Sequence, residues 1–195
     1  MQKERKTSME KWMDLSGKVM IVTGGSQGIG EHVVKTLRNN GAAVVVADLR
    51  NNETFEKDEN IFFVECNVAD KKSVDSMMEQ VIKKYGKIDG LLNNAGVSRP
   101  RLLVDFYGKR PEYELSEEDF DFMVNVNQKG VFLCSQAAAR YMIKQKSGVI
   151  VNMSSEAGMQ GSKGQSCYSG TKGAVLSYTC LLYTSDAADD GLGVD

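Results

Sequence analysis

Only one histidine, His32, stands in the chain of 195 residues. One imidazole gives little basis for a histidine general base and none for a multi-histidine metal site. The four cysteines (Cys66, Cys134, Cys167 and Cys180) show neither metal-ligand spacing nor a paired framework. That usage suits a reducing compartment and predicts a cytoplasmic protein without a structural metal. No apolar run approaches the roughly 18–20 residues of a membrane span. The opening "MQKERKTSMEKWMDLSGK" is charged and has no apolar stretch, so it does not read as a secretory signal. A basic excess is missing as well: the net charge is −2, whereas nucleic-acid binding normally shows as a basic patch. Internal repeats and low-complexity segments are absent. The remainder is an ordinary globular composition, 42% hydrophobic and 26% charged, at a length suited to one domain.

Within that composition, short apolar runs alternate with segments of helical period. "KVMIVTG" (18–24), "AVVVAD" (43–48), "IFFVEC" (61–66), "IDGLLNN" (88–94) and "GVIVNMS" (148–154) read as buried strands. Between them, residues 28–41 set Ile29, Val33, Val34 and Leu37 on one helical face and stop at Gly41. Residues 70–86 start at a plausible Asp70 cap and keep Val74, Met77, Met78, Val81 and Ile82 together. Residues 116–145 predict one long helix, opened by Ser116 with an acid three residues on, the pattern of a capping box. Strands apolar on both faces, separated by helices, predict an α/β fold: a doubly wound parallel sheet in three layers. One connection, "VSRPRLLVDFYGKRPEYEL" (97–115), is long for such a unit, and loops of that length are usually functional or disordered.

The chemistry concentrates at two places. "TGGSQGIG" (23–30) follows the first strand and opens the first helix. There Gly24 can turn sharply, Gly28 lets a pyrophosphate approach the backbone, and Gly30 allows close helix–strand packing. The helix N-terminus offers free N–H groups and a positive dipole end to the phosphates. Asp48, closing the second strand, can accept hydrogen bonds from both adenosine ribose hydroxyls and would repel a 2′-phosphate. NAD is therefore expected over NADP. Arg50 lies close enough to receive that phosphate and keeps NADP open. At the second place Tyr168 and Lys172 stand at i and i+4, on one helical face. A nearby ammonium stabilises a phenolate, which suits the pair to general acid and base work. Ser155, just past the fifth strand, could hold a substrate oxygen. Such a pair alone is mostly surface decoration; its place after the fifth strand of a dinucleotide fold is what gives it meaning.

Taken in order, "TGGSQGIG", "NNAG" (93–96), "NVNQKGVF" (125–132), Ser155 and "YSGTK" (168–172) resemble the short-chain dehydrogenase/reductases, from about Gly17 to Thr179. The resemblance implies a catalytic set of Asn127, Ser155, Tyr168 and Lys172. In it Tyr168 exchanges the proton and Ser155 holds the reacting oxygen. Lys172 grips the nicotinamide ribose, and Asn127 anchors a water that continues the proton relay. The cofactor residues it implies are Gly24, Ser26, Gln27, Gly28, Ile29, Gly30, Asp48, Asn67, Val68, Asn94, Ala95 and Gly96, with Tyr168 and Lys172. Asn67 stands where the family often has an aspartate against adenine, and it keeps both hydrogen-bond roles.

Stretches such as "RPRLLVD" (99–105) and "SSEAGMQGSKGQSCY" (154–168) look more narrowly like the sorbitol-6-phosphate 2-dehydrogenases of that family. These interconvert sorbitol 6-phosphate and fructose 6-phosphate with NAD. Arg99, Arg101, Lys109, Arg110 and Lys163 are then candidates for pairing with a sugar phosphate, or else solvated loop charges. Glu156 is a candidate for sugar hydroxyls or for local capping. Two other readings stay open: an NADP-dependent 3-oxoacyl-carrier or other ketone reductase of the same family, and a non-catalytic dinucleotide-binding module.

The domain expectation is an N-terminal arm over 1–16, with Met9 and Met13 as alternative starts, and a Rossmann domain over 17–179. Residues 180–195, "CLLYTSDAADDGLGVD", follow as a tail. That tail has no apolar rhythm and resembles the translation of a transposase-type sequencing adapter, so it is expected to be non-native. The family pattern continues there with further strands and a substrate lid. Without them "GVIVNMS" is expected to form an exposed apolar edge, the chain as it stands to be inactive, and its parent to be a homodimer or homotetramer. Amplifying the source DNA across codon 180 should read on into a sixth strand and a lid. Genomic DNA encoding "CLLYTSDAADD" and stopping soon after would overturn the adapter reading.

Overall fold

A computed structural model describes residues 13–181; most of the expected arm and of the expected tail lie outside the described residues. The chain runs β1 (Val19–Thr23), α1 (Gly28–Asn39), β2 (Ala43–Asp48), β3 (Ile61–Glu65), α2 (Lys71–Tyr85) and β4 (Gly90–Asn93). After a long connection come α3 (Glu117–Val124), a π-helical turn (Asn125–Lys129), α4 (Gly130–Gln145), β5 (Val149–Asn152), α5 (Ala157–Gln160) and α6 (Ser166–Leu181). The five strands are all parallel, in the order β3-β2-β1-β4-β5. From β1 the chain winds outward through β2 and β3, then returns to the other side of β1 for β4. The winding therefore reverses beside β1, where sheets of this kind open a crevice at their carboxyl edge.

Successive strand residues point to opposite faces, and both faces are covered. Ile21, Val45, Ala47 and Leu91 pack with Met77, Met78 and Val81 of α2 and Cys134 and Ala138 of α4. Val22, Val44 and Val46 pack on the other side with Val34 of α1 and Phe55. The result is three layers, α/β/α, with a core that needs no polar alternation in its strands. No helix among the described residues is long and apolar enough to cross a membrane.

Cover runs out at β5. Its outer edge has no strand partner among the described residues. Val149 and Val151, in register with Gly90 and Leu92 on the α1 side, remain 50% and 49% exposed. This is the apolar, unpaired edge expected from the sequence, a template for pairing with another chain.

Local signals explain most element ends. The Asp70 carboxylate accepts from Lys72 N–H and caps α2, which stops at Gly86 in the left-handed region (φ 75°). Ser116 caps α3 by accepting from Asp119 N–H. Two expectations need correction. Ile29 is 65% exposed rather than on the buried face with Val34, because α1 begins only at Gly28 and its first turn stands beyond the sheet's carboxyl edge. The helix expected over 116–145 is interrupted by the π turn. The last described helix, α6, runs to Leu181.

Two glycines give a paired stability test. A Cβ at Gly30 would sit 2.1 Å from the Gly24 carbonyl oxygen, whereas one at Gly170 in α6 would meet nothing within 4 Å. Gly30→Ala is expected to cost about 1–3 kcal/mol. Gly170→Ala is expected to gain roughly 0.5–1 kcal/mol, by removing glycine's entropy cost inside a helix. Urea unfolding of both variants checks the signs.

Candidate active site

The turn between β1 and α1 is shaped by what its glycines allow. Gly24 (φ 63°) approaches the next strand so closely that a Cβ there would lie 2.8 Å from Ala95 Cα. Gly28 (φ 58°) faces open space, where an added Cβ would meet nothing within 4 Å. Beside it Gln27 and Ile29 form an exposed rim, and no side chain caps the first turn of α1. Free N–H groups and the dipole's positive end are thus open toward an anion over Gly28. The Asp48 carboxylate at the end of β2 closes one flank. It accepts from Ser26 N–H (3.0 Å) and from Leu49 N–H (2.7 Å), one bond per oxygen, which leaves each oxygen a further acceptor site. Ser26 is fixed in turn by its hydroxyl to the Arg50 carbonyl (2.6 Å) and by Asn52 Nδ2 donating to its own carbonyl.

Across the switch point, the end of β4 is spliced onto this turn. The Thr23 hydroxyl accepts from Asn94 N–H (3.0 Å) and Ala95 N–H (3.1 Å). Asn94 Nδ2 donates to the carbonyls of Thr23 and Gly24 (both 3.0 Å) and so holds the turn. Gly96 lies where a Cβ would be 3.4 Å from Asn127 Oδ1 and 3.5 Å from Lys172 Nζ. Asn67 is exposed and its amide oxygen accepts locally from Ala69 N–H (3.0 Å). Val68 is buried under Gly130.

The catalytic candidates converge at the same edge. Asn127 sits in the π turn, fully buried at 0% exposure. Its Oδ1 accepts from Val97 N–H (2.7 Å), and its Nδ2 donates to the Val97 carbonyl (2.8 Å) and to the Thr171 hydroxyl (3.2 Å). Both amide hydrogens are therefore committed to protein partners. A π turn shifts the helical ladder by one residue, which is why such turns recur at functional sites. On α6, Lys172 is only 5% exposed. Its ammonium donates to the Met153 carbonyl (2.6 Å) just past β5 and stands 5.9 Å from the Tyr168 ring centre. Burial pushes its pKa below the ordinary lysine value. Two of its three N–H donors remain for other partners. The Ser154 hydroxyl donates to the Lys172 carbonyl (2.8 Å), and Ser155 Oγ accepts from Ala157 N–H (3.2 Å). Together these features fit a nicotinamide dinucleotide. They provide an open glycine turn and helix N-terminus for the pyrophosphate, a carboxylate with spare acceptors for a ribose diol, and a buried ammonium with spare donors.

The substrate candidates divide. Arg99 and Arg101 both grip Asp119, a buried carboxylate in the first turn of α3: Arg99 Nη1 to Oδ1 at 3.0 Å and Arg101 Nε to Oδ2 at 2.9 Å. Arg101 N–H also donates to the Gly164 carbonyl (2.7 Å), joining the loop after β4 to the loop before α6. Lys163 and Glu156 are exposed, and no side-chain bond holds either among the described residues. Lys109 and Arg110 lie over the rings of Tyr107 and Tyr113. Sequence reasoning missed Thr23, Ser154, Thr171 and Asp119. It also missed a buried chain in which Asn93 Nδ2 donates to Ser135 Oγ (2.9 Å) and to Asn152 Oδ1 (2.8 Å). Asp119 was visible only as the acid of a capping box. Its carboxylate serves the arginines, while Ser116 alone makes the cap.

Comparison with known proteins matches this arrangement. The sequence model described as short chain dehydrogenase matches residues 18–191. Sorbitol-6-phosphate 2-dehydrogenase of Klebsiella pneumoniae is 47% identical over 171 residues, covering 88% of this chain and 64% of that protein. The 3-oxoacyl-[acyl-carrier-protein] reductase FabG of Thermotoga maritima is 38% identical over 174 residues, covering 86% of this chain and 67% of its own. Among solved structures, that of gox2181 superposes with a TM-score of 0.77 at 28% identity, covering 87% of this chain and 66% of that one. The chain thus spans somewhat less than two thirds of the first of these relatives.

The buried ammonium has a pH signature. A cation whose folded pKa is lowered binds fewer protons in the folded state, so its burial penalty is complete below the folded pKa. The penalty fades as pH rises from that value toward 10.5. The melting temperature of the wild type minus that of Lys172→Met is therefore expected to climb as pH rises toward 10.5. A flat or falling difference would contradict the burial argument.

Proposed function

The chain belongs to the short chain dehydrogenase family, and from that premise we propose that the protein is an oxidoreductase moving a hydride between NAD and a polyol phosphate, with sorbitol 6-phosphate and fructose 6-phosphate as the reacting pair. The observation that carries the reading is the buried Lys172 ammonium, 5.9 Å from the Tyr168 ring centre and bonded to Met153 two residues before Ser155, at the sheet edge that also carries the open glycine turn.

In this reading Ser155 Oγ and the Tyr168 hydroxyl hold the C2 hydroxyl of the polyol. Tyr168 takes the hydroxyl proton as the C2–H bond breaks, and returns a proton to the carbonyl oxygen in the reverse direction. The buried Lys172 ammonium stabilises charge on the Tyr168 oxygen, and its two N–H donors not spent on the Met153 carbonyl suit a ribose hydroxyl. The dinucleotide supplies the hydride acceptor when bound. Asn127 keeps the floor of the site rigid through Val97 and Thr171.

Asp48 supports NAD, because its remaining acceptors suit a ribose diol and its charge opposes a 2′-phosphate. The 47% identity to the Klebsiella pneumoniae enzyme and the basic loop after β4 support a phosphorylated polyol. The buried thiols of Cys66, Cys134 and Cys167, none of them in a disulfide, suit a cytoplasmic protein. A homodimer or homotetramer completes the proposal. The competing reading, an NADP-linked 3-oxoacyl-carrier or other ketone reductase, draws on the identity to FabG and on Arg50, an exposed cation two residues past Asp48.

Two variants of the full-length protein test these assignments. Tyr168→Phe is expected to lower kcat by about 10²–10⁴-fold while leaving the NAD dissociation constant within about threefold; unchanged turnover would refute the acid–base role. Asp48→Ala should weaken NAD and narrow its advantage over NADP. A wild type that already turns over NADP better than NAD would favour the reductase reading.

A further inference from the structure

The arginine pair on Asp119 carries more charge than a structural staple requires. One guanidinium satisfies one carboxylate bidentately, yet here two share it, so the cluster retains a net positive charge. The neighbouring acids do not cancel it by direct bonds. Glu114 Oε2 accepts from Asp105 N–H and Asp105 Oδ2 from Arg110 N–H, so both are turned onto backbone. The two arginines also differ in what they leave free. Arg101 uses Nε on Asp119 and Nη1 on the Pro100 carbonyl, and its side chain is 25% exposed. Arg99 uses a single N–H, and its side chain is 47% exposed. Four of its five donors are unspent among the described residues.

Arg99 is nevertheless held in place. Its guanidinium lies 4.7 Å from the centre of the Phe122 ring, and its backbone N–H meets Met123 Sδ at 3.4 Å. Two residues before it, Val97 is locked by Asn127, which also bonds Thr171 in the helix of Tyr168 and Lys172. On the other side, Arg101 is tied through Gly164 to the loop that leads into the same helix. A pre-positioned cation with spare, forked donors at the carboxyl edge of a sheet is suited to a phosphoryl group. In a hexitol 6-phosphate four carbon–carbon bonds separate the reacting C2 from the phosphate-bearing carbon, so the group must be recognised away from Tyr168 but beside it.

We propose that Arg99 recognises the phosphoryl group of the substrate, with Asp119 as its anchor and Arg101 as the positioning residue that joins the two loops. The inference rests on the polyol-phosphate reading above and assigns that reading its specificity determinant.

The test measures, in the full-length enzyme with saturating NAD, the ratio of kcat/KM for sorbitol 6-phosphate to that for unphosphorylated sorbitol. Losing charge-assisted bonds to one phosphoryl group should lower this ratio about 10- to 100-fold in Arg99→Ala, mainly through KM. Arg99→Lys, which keeps the charge but not the fork, should fall between and decides the matter should the alanine variant not fold. A ratio unchanged in the variants, whether both substrates suffer equally or neither suffers, would overturn the assignment and leave a loop staple. A wild type that does not prefer the phosphorylated substrate would instead overturn the polyol-phosphate reading itself, and the inference with it.

Discussion

One buried amide holds the working parts of this molecule in relation to one another. Asn127 has no contact with solvent, and its carbonyl and both N–H groups are all engaged. Three segments meet on it: the loop leaving β4, the helix that rises from α3 into α4, and α6. Val97 and Thr171 lie 30 and 44 residues from Asn127 along the chain. Removing the amide would strip the Val97 N–H and carbonyl of their partner in a dry interior, a penalty of about 1–3 kcal/mol per group, while the Thr171 hydroxyl would keep its bond to the Tyr168 carbonyl. That side chain projects from the π turn that joins α3 to α4. Lys172 and Tyr168 inherit their placement from the contact at Thr171, one residue before the lysine.

The cofactor side and the substrate side are built differently. Around β1 the turn is fixed mostly by backbone groups: Thr23, Asn94 and Asp48 spend their polar atoms on main-chain amides and carbonyls. Such bonds depend little on which apolar residues surround them. The loop after β4 is held by side chains instead, with guanidinium on carboxylate and on aromatic rings. Side-chain frameworks change with single substitutions. A family whose matched relatives are named for a sugar phosphate and an acyl chain would vary the second kind and retain the first.

The sheet, its strands and the glycine turn were legible because their signals are local. "KVMIVTG" carries its burial in its composition, and a glycine between strand and helix carries its conformational freedom with it. The partners of Asn94 and Asn127 were not legible. Their motifs point to residues near a ligand, whereas both side chains hold peptide groups distant in sequence. Ile29 escapes its expected face because helical period cannot tell a first turn that overhangs the sheet from one that lies on it. Asp119 shows the same limit: the sequence marks a capping acid, but a carboxylate chooses its partner by what folds against it. The narrow break at Asn125–Lys129 leaves no periodic trace, since a one-residue shift in a long amphipathic helix is smaller than the width of its apolar stripe.

The strand order also carries a timetable. β1 acquires its first neighbour when β2 forms, and β3 can follow at once, so three strands and the glycine turn can assemble while the rest of the chain is still on the ribosome. The other edge of β1 must wait until Gly90–Asn93 has emerged, after all of α2. During that interval the central strand of the described sheet presents a bare hydrogen-bonding edge. The emerging molecule thus acquires its nucleotide half first, and its most vulnerable moment falls between the making of β3 and the arrival of β4.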